Sequence, residues 1–416
     1  MRDLTVLVGG EGRHLFDSMR LSGVSCSASA EAMPTPDLIV FPCGRDRRFD
    51  NLAGLRLAPH IQERIAARSA GLVFDASLEG VSHKADIAAA LHQIIDRLGA
   101  VAGQCVYLTQ DRQFKTDYEA HCRSIGRAPV TVLTHDYWIW DSLASFEGDG
   151  EQVYQQRLQA FRSRERHRAR RFVSLNRTPR PAKILFLLRL LRDGLWDHGH
   201  ISFGGFRRNG EGPGKDRPSA EQLLQALPGF EDLIAELLPY LDSLEKVGRV
   251  LLGMDQHGWR RIDLPRASLA VDLIEYQHSW FTVVTETEMR TRPSRITEKV
   301  VKPLVNFHPV IVLGNPAALQ MIRSYGFVTF PELFDESYDD DVDPRRRFER
   351  VYAEIMRLCR LGEEEWRRLA ERVADKLIFN ARWGLTRMPS IYRQQRDMAL
   401  VNEILIAVRQ SVPADR

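Results

Sequence analysis

Short apolar runs alternate with amphipathic stretches over the first 145 residues, and no other feature of the chain constrains its fold as strongly. TVLVGG, DLIVFPC, GLVFDAS, QCVYLTQD and PVTVLTHDYW have the length and β-branched content of buried strands. HIQERIAARSA and KADIAAALHQIIDRLGA, which fall between them, carry helical spacing. Strand, helix and strand in repeated order predict a parallel sheet covered on both faces, because a parallel connection needs a crossover to bring the chain back. Ligands of such sheets gather at the carboxyl ends of the strands, which makes the loops after these runs the places to search.

Residues 146–171 break the pattern. EGDGEQVYQQRLQAFRSRERHRARR is polar and helix-prone, and its last ten residues hold six arginines. It reads either as a solvated helix joining two halves or as a basic patch for an anionic partner; the absence of interleaved aromatics weighs against nucleic acid. A second series then begins. RFVSLNR is a strand running into a polar turn, and PAKILFLLRLLRDGL is a helix ending at Gly194. A Gly- and Arg-rich insertion (residues 203–218) and further helical stretches lead to the strand WFTVVTETE, the helix ITEKVVKPLV, the strand HPVIVLG and the helix AALQMIRSYGF. Two long helices, RRRFERVYAEIMRLC and EEEWRRLAERVADKLIFNARW, follow. The expected organisation is an α/β domain (1–145), a basic helical linker (146–171), a second α/β domain (172–395) and a C-terminal helix or tail (396–416).

A length of 416 residues with 44% hydrophobic content suffices for two cores, and a net charge of +3 supplies no global field for nucleic acid. Five scattered cysteines, with no CxxC pair, fit a reducing cytoplasm, and no apolar stretch reaches the roughly 18–20 residues that span a bilayer.

The chemistry-bearing residues lie mostly in the second half. Glu286 and Glu288 follow the apolar Val283 and Val284 with one residue between them, and so share a side. They read as a solvated capping pair or as acceptors for sugar or ribose hydroxyls. Thr297 can cap a helix that Glu298 and Lys299 open, where unsatisfied amides and a lysine favour an anion; a plain cap has the same pattern. DDDVDP (339–344) has the look of a metal motif, but Asp343 before Pro344 at the head of an amphipathic run reads as a helix start, so no metal is expected.

An acidic residue closing a strand, a short gap, a Thr-Glu-Lys helix start and an apolar strand ending in Gly resemble the donor-binding signature of alpha-1,3-fucosyltransferases. In that family the strand ends Glu-Asn-Ser and the helix opens Tyr-Val-Thr-Glu-Lys. Here Glu286, Thr287 and Glu288 precede Arg295, Ile296, Thr297, Glu298 and Lys299, so Glu-Thr-Glu replaces Glu-Asn-Ser and Arg295 stands in place of the aromatic. The resemblance covers about residues 280–315. The C-terminal half also looks like an uncharacterised bacterial and phage group of glycosyltransferase-like proteins. They share an Asn-Arg-x-x-Arg turn (Asn176 to Arg180), a TEK-Lys-Pro helix (Thr297 to Pro303) and a Phe-Asp-Glu-Ser-Tyr-Asp segment (Phe334 to Asp339).

The resemblance implies two Rossmann-like domains facing across a cleft, the arrangement called GT-B. It also implies transfer of a hexosyl or deoxyhexosyl group from a nucleotide sugar, GDP-linked by the fucosyltransferase analogy, to a glycan, lipid-linked or protein acceptor, without metal or other cofactor. Breaking the anomeric bond to a diphosphate builds charge on the departing oxygens. Arg177, Arg180 and Lys299 are the cations expected to meet it, with surface ion pairs the alternative for the arginines. Asn176, Glu286, Glu288 and Thr297 complete the expected donor site, Glu298 would hold the ribose hydroxyls, and Gly314 would let backbone approach the ligand. The acceptor needs a base, and Glu79 in GLVFDASLEG is the choice, with Asp75 read as structural and His135 and Asp136 as second candidates. Gly9 to Gly12 read as a permissive turn on the acceptor side. A phosphate- or sulfate-group transferase and a nucleic-acid-binding module are the rival readings.

Overall fold

A computed structural model of the chain describes residues 4–9, 15–18, 23–43, 49, 52, 54–78, 84–144, 146–163, 168–207, 215–250, 252, 274–392 and 398–409. The chain forms two compact units, one of Met1–Asp141 with Ser390–Arg416 and one of Ser142–Pro389.

In the first unit the apolar runs become strands β1 (Leu4–Val8), β3 (Leu38–Pro42), β4 (Gly71–Asp75), β5 (Cys105–Thr109) and β6 (Thr131–Thr134). They join β2 (Val24–Ser27) in a six-stranded, all-parallel sheet of order β2-β1-β3-β4-β5-β6. Side chains alternate across a strand, so each of these runs feeds two cores. Leu72 and Phe74 of β4 point into one with Ile39, Tyr107 and residues of the Pro59–Ala66, Ala85–Arg97 and Phe114–Ser124 helices. Val73, between them, faces the other with Val40 and Val106, its register partners on β3 and β5.

That second face is covered by the end of the chain. Leu400, Val401, Ile404 and Val408 of the Met398–Arg409 helix belong to its core, so the segment expected as a C-terminal helix or tail (396–416) is, where described, a helix of the first unit. The fit is close: a β-carbon on Gly71 would lie 2.7 Å from Cγ1 of Val408, which makes glycine the residue that lets helix and strand approach.

The expected linker is also absorbed, because its apolar residues have a core to join. Within 146–171, Gly150–Arg162 is a helix of the second unit. Tyr154 and Phe161 stack on Phe307 with centroids 6.0 and 4.8 Å away, and buried Arg157 donates to the Val305 carbonyl at 3.2 Å. Arg168 lies over the Trp280 ring at 4.0 Å and donates to the Ser279 carbonyl at 2.6 Å, while Arg170 donates to the Asp197 carbonyl. Among the described residues these two arginines therefore serve the fold, which takes support from a nucleic-acid surface; residues 164–167 lie outside the description.

The second unit holds β7 (Phe172–Asn176), β8 (Gly199–Phe203), β9 (Phe281–Thr285) and β10 (Val310–Leu313) in an all-parallel sheet of order β10-β9-β7-β8. Two units of this kind make the protein α/β with two Rossmann-like sheets. From β7 the chain steps one way to β8 and then returns to lay β9 on the other side, so the order reverses between β7 and β9. The carboxyl ends of the strands at such a reversal diverge and leave room for a ligand. Behind the sheet, fully buried Trp366 of the Glu363–Arg382 helix stacks on Trp280 and on Phe281, each 5.5 Å away. Among the described residues no helix is long and apolar enough to cross a membrane.

Candidate functional site

Asn176 ends β7 and Thr285 ends β9, so both stand at the reversal. Asn176 is fully buried: its amide N–H donates to Ser202 Oγ and its Nδ2 to Ser174 Oγ, both at 2.9 Å, and its Oδ1 accepts from the Thr285 hydroxyl at 2.5 Å. It ties three strand ends together, which gives it a framing role under the site.

Glu286, the next residue after β9, is 4% exposed. Its carboxylate accepts the Thr297 amide at 3.1 Å and the Thr297 hydroxyl at 2.9 Å, and lies 3.6 Å from Lys299 Nζ. Lys299 Nζ donates to the Thr297 hydroxyl oxygen at 2.8 Å and is 3.9 Å from Glu298. Gly314, just past β10, packs on the stem of this side chain: a β-carbon there would be 3.0 Å from Glu286 Cβ and 3.1 Å from Cγ. The expected donor residues Glu286, Thr297, Glu298, Lys299 and Gly314 are thus brought together, but largely to bind one another. Thr297 caps the Glu298–Leu304 helix through the Lys299 amide, and its own amide is taken by Glu286. Cationic side chains, rather than open helix amides, are what this edge presents. Glu288 stands apart, paired with Arg290 at 2.6 Å and Arg295 at 3.9 Å.

Burial alone would raise the Glu286 carboxyl, but Lys299, the Thr297 hydroxyl and amide, and Arg295 outweigh it and hold its pKa below the ordinary value. Burial alone would lower Lys299; Glu298 and Glu286 outweigh it and raise its pKa. The two shifts agree on a charged pair.

Lys183, in the first turn of the Pro181–Arg192 helix, was not singled out from the sequence, and it has the most unusual environment of the group. It is 4% exposed and, among the described residues, its ammonium has no hydrogen bond or ion pair. Burial, then the Lys299 charge and that of Arg180, pull its pKa down to about 7 against the opposing carboxylates of Glu286 and Glu298. Its signal in the sequence is the surrounding run: in PAKILFLL every residue from Ala182 to Leu188 is buried, so a charge set among them carries a desolvation cost. Arg180, half-buried just before this helix, acts on both lysines. Arg177 is half-buried on the same turn, whose backbone closes tightly on β8: a β-carbon on Gly204 would fall 1.7 Å from the Arg177 carbonyl oxygen.

Arg180, Lys183, Arg295 and Lys299 therefore act electrostatically on the same edge as Glu286 and Glu298, and with Glu288, the partner of Arg295, the tally is four cations against three carboxylates. Such an excess favours an anionic ligand, and phosphoryl oxygens suit both ammonium and guanidinium donors.

Other candidates are differently placed. Glu79 and residues 10–12 lie outside the described residues. Asp75 is fully buried and accepts from the Leu15 and Ser77 amides and the Ser77 hydroxyl, a structural role. Asp136 receives both ends of the Arg112 guanidinium, at 3.1 and 2.7 Å, and His135 beside it is buried. In DDDVDP, Asp343 caps the Pro344–Cys359 helix through the Arg346 amide at 2.9 Å, and Asp341 pairs with Arg346. Among the described residues no group of three or more His, Cys, Asp or Glu side chains could hold a metal ion.

Fold and site together define an α/β protein of two parallel-sheet units, with a cationic cluster at the carboxyl edge of the second. No protein-family model matches the chain, and no curated protein matches it in sequence. Among solved structures it is similar to the alpha,alpha-trehalose 6-phosphate synthase of Burkholderia multivorans, with TM-score 0.39 and 11% identity over 93% of this chain and 74% of that one. It is similar also to the N-terminal domain of Candida albicans trehalose-6-phosphate phosphatase (TM-score 0.37, 12% identity, 91% and 73% covered). A third is the alpha,alpha-trehalose-phosphate synthase (UDP-forming) of Burkholderia vietnamiensis (TM-score 0.38, 10% identity, 97% and 99% covered). Likeness at this level carries no residue correspondence, and the fucosyltransferase resemblance rests on residues 280–315 alone.

Proposed function

We propose that the protein is a glycosyltransferase that moves a hexosyl or deoxyhexosyl group from a nucleotide sugar to an acceptor hydroxyl, with the donor diphosphate bound at the carboxyl edge of the second sheet. One observation carries this reading: Lys183, 4% exposed and without a hydrogen bond or ion pair among the described residues, stands beside Arg180 and the Glu286–Lys299 pair at the strand reversal. An uncompensated buried cation is costly, and an anion arriving there removes the cost. Lys183 is the principal diphosphate ligand. Arg180 and Lys299 contribute their charge beside it, and Arg177 on the same turn is a further donor.

In the reaction the bond between the anomeric carbon and the diphosphate oxygen breaks, its electron pair leaves on that oxygen, and the cations stabilise the charge that develops. The acceptor oxygen forms the new bond to carbon and gives its proton to a carboxylate, for which Glu79 remains the choice on sequence grounds. The cationic set supplies the positive charge that a metal brings in other transferases, so turnover is expected to survive chelation. The acceptor is a glycan, a lipid-linked sugar or a protein, and the site of action is the cytoplasm.

The test is a calorimetric and thermal-shift comparison of UDP-, GDP- and CMP-linked sugars with ATP and adenylylsulfate, on the wild type and on Lys183→Met and Arg180→Ala. The reading expects one nucleotide sugar to bind the wild type and both variants to lose it. Binding of ATP or adenylylsulfate alone would establish the phosphate- or sulfate-transfer rival, and nucleotide-sugar affinity indifferent to both substitutions would refute the site.

A further inference from the structure

Arg347, in the first turn of the Pro344–Cys359 helix, is 1% exposed. Among the described residues its guanidinium meets no carboxylate oxygen. Nε donates to the Gly314 carbonyl at 2.8 Å, Nη2 to the Arg290 carbonyl at 2.6 Å, and Nη1 to the Asp341 carbonyl. Burial pulls its pKa down to about 10, opposed by the charges of Asp341, Asp339 and Asp343, so it remains a cation at neutral pH. A buried charge satisfied only by main-chain oxygens of three separate segments is an expensive way to stabilise a helix end, and what those segments have in common gives the reason.

Two of them border the cationic cluster. Gly314 packs on Glu286. Arg290 lies within the connection from Glu286 to Thr297, whose two ends are joined by the Glu286–Thr297 hydrogen bonds. The Arg290 peptide is gripped from both sides: its N–H donates to Asn315 Oδ1 at 2.9 Å, and its carbonyl accepts from Arg347. Asn315 follows Gly314 directly, so one guanidinium and one amide hold the whole connection against the end of β10.

We infer that Arg347 is a positioning residue for the cluster: by tying the Arg290, Gly314 and Asp341 carbonyls to one guanidinium, it fixes the 286–297 connection so that Glu286 meets Thr297 and Lys299. Lysine cannot replace it, because a single ammonium on a flexible stem does not present the same fork of donors. The geometric part stands by itself; the consequence for ligand affinity rests on the anion-site reading above.

The experiment uses the full chain as wild type and as Arg347→Lys, measuring amide hydrogen exchange and affinity for inorganic pyrophosphate. Exchange across 286–297 is expected to quicken about tenfold in the variant while the Glu363–Arg382 helix is unchanged, and pyrophosphate affinity to fall about tenfold with it. Exchange that quickens equally in both segments would mean a general structural role, and exchange unchanged in 286–297 would mean no role there; either overturns the inference. A wild type that fails to bind pyrophosphate would count against the anion site, while the exchange comparison would still decide the part played by Arg347. Should Arg347→Lys not fold, Asn315→Ala removes the opposite grip on the same peptide, with the same local quickening expected and its absence equally fatal.

Discussion

Replacing Lys183 by methionine should stabilise the protein while abolishing anion binding, and the size of the gain follows from the structure. A lysine whose pKa falls from 10.5 to about 7 on folding is protonated in the unfolded chain and neutral in the folded one between those values. The unfolded state then binds more protons, so stability rises with pH across that window, and below it the full cost of burying the charge is present. At 1.36 kcal/mol per tenfold change in proton affinity, the cost at pH 7 and below is at most about 5 kcal/mol. Relaxation around a real charge makes about 2–5 kcal/mol the reasonable expectation, since methionine fills nearly the same space without one. A gain of about 3 kcal/mol raises the melting temperature of a unit this size by roughly 6–12 °C. Circular-dichroism melts between about pH 6 and pH 10.5 would measure it, the gain being largest at the acid end and fading as wild-type Lys183 loses its proton in both states. Pyrophosphate should raise the wild-type melting temperature at neutral pH and leave Lys183→Met unmoved. A variant no more stable than wild type at pH 7, or a gain that does not change with pH, would refute the assignment of an uncompensated buried ammonium.

Gly314→Ala forces a β-carbon to about 3.0 Å from Glu286, and is expected to cost about 1–2 kcal/mol in denaturant titration and to weaken pyrophosphate binding. Glu286→Gln removes the carboxylate that holds Thr297 and Lys299, with an expected loss of about 1–3 kcal/mol at neutral pH. Because the folded state depresses the Glu286 pKa, its contribution is present above the ordinary carboxylate range and is lost as pH falls through the lowered value, so wild type and variant should converge in acid. Val408→Asp places a charge in the core between the Met398–Arg409 helix and β4. It should lower the melting transition of the first unit and spare that of the second, which differential scanning calorimetry would resolve.

What the sequence reveals and what it hides differ in the range over which each residue finds its partner. β3, β4 and β5 are buried at every position, and so appear as unbroken apolar runs. β2 reads VSCS because it is a half-exposed edge, and β8 reads GHISF, opening on a glycine and a histidine; neither carries an apolar run, and pairing with a neighbouring strand is what makes each a strand. The Met398–Arg409 helix shows its own periodicity, but nothing in its sequence names the sheet some 300 residues earlier that it covers. The same limit governs the site. The Thr-Glu-Lys cluster is local and legible, whereas the partner of its threonine, Glu286, lies 11 residues away, and the grip of Arg347 spans 33 residues to Gly314 and 57 to Arg290. Sequence alone ranks Lys299 first because its neighbours match a pattern. Only the folded arrangement shows that Glu286 and Glu298 already pair with that lysine, while Lys183, marked in the sequence only by being the sole charge in an apolar turn, has no ion pair among the described residues. Affinity for an anion follows the unmet charge and not the motif, so substitution of Lys183 should cost more binding than substitution of Lys299.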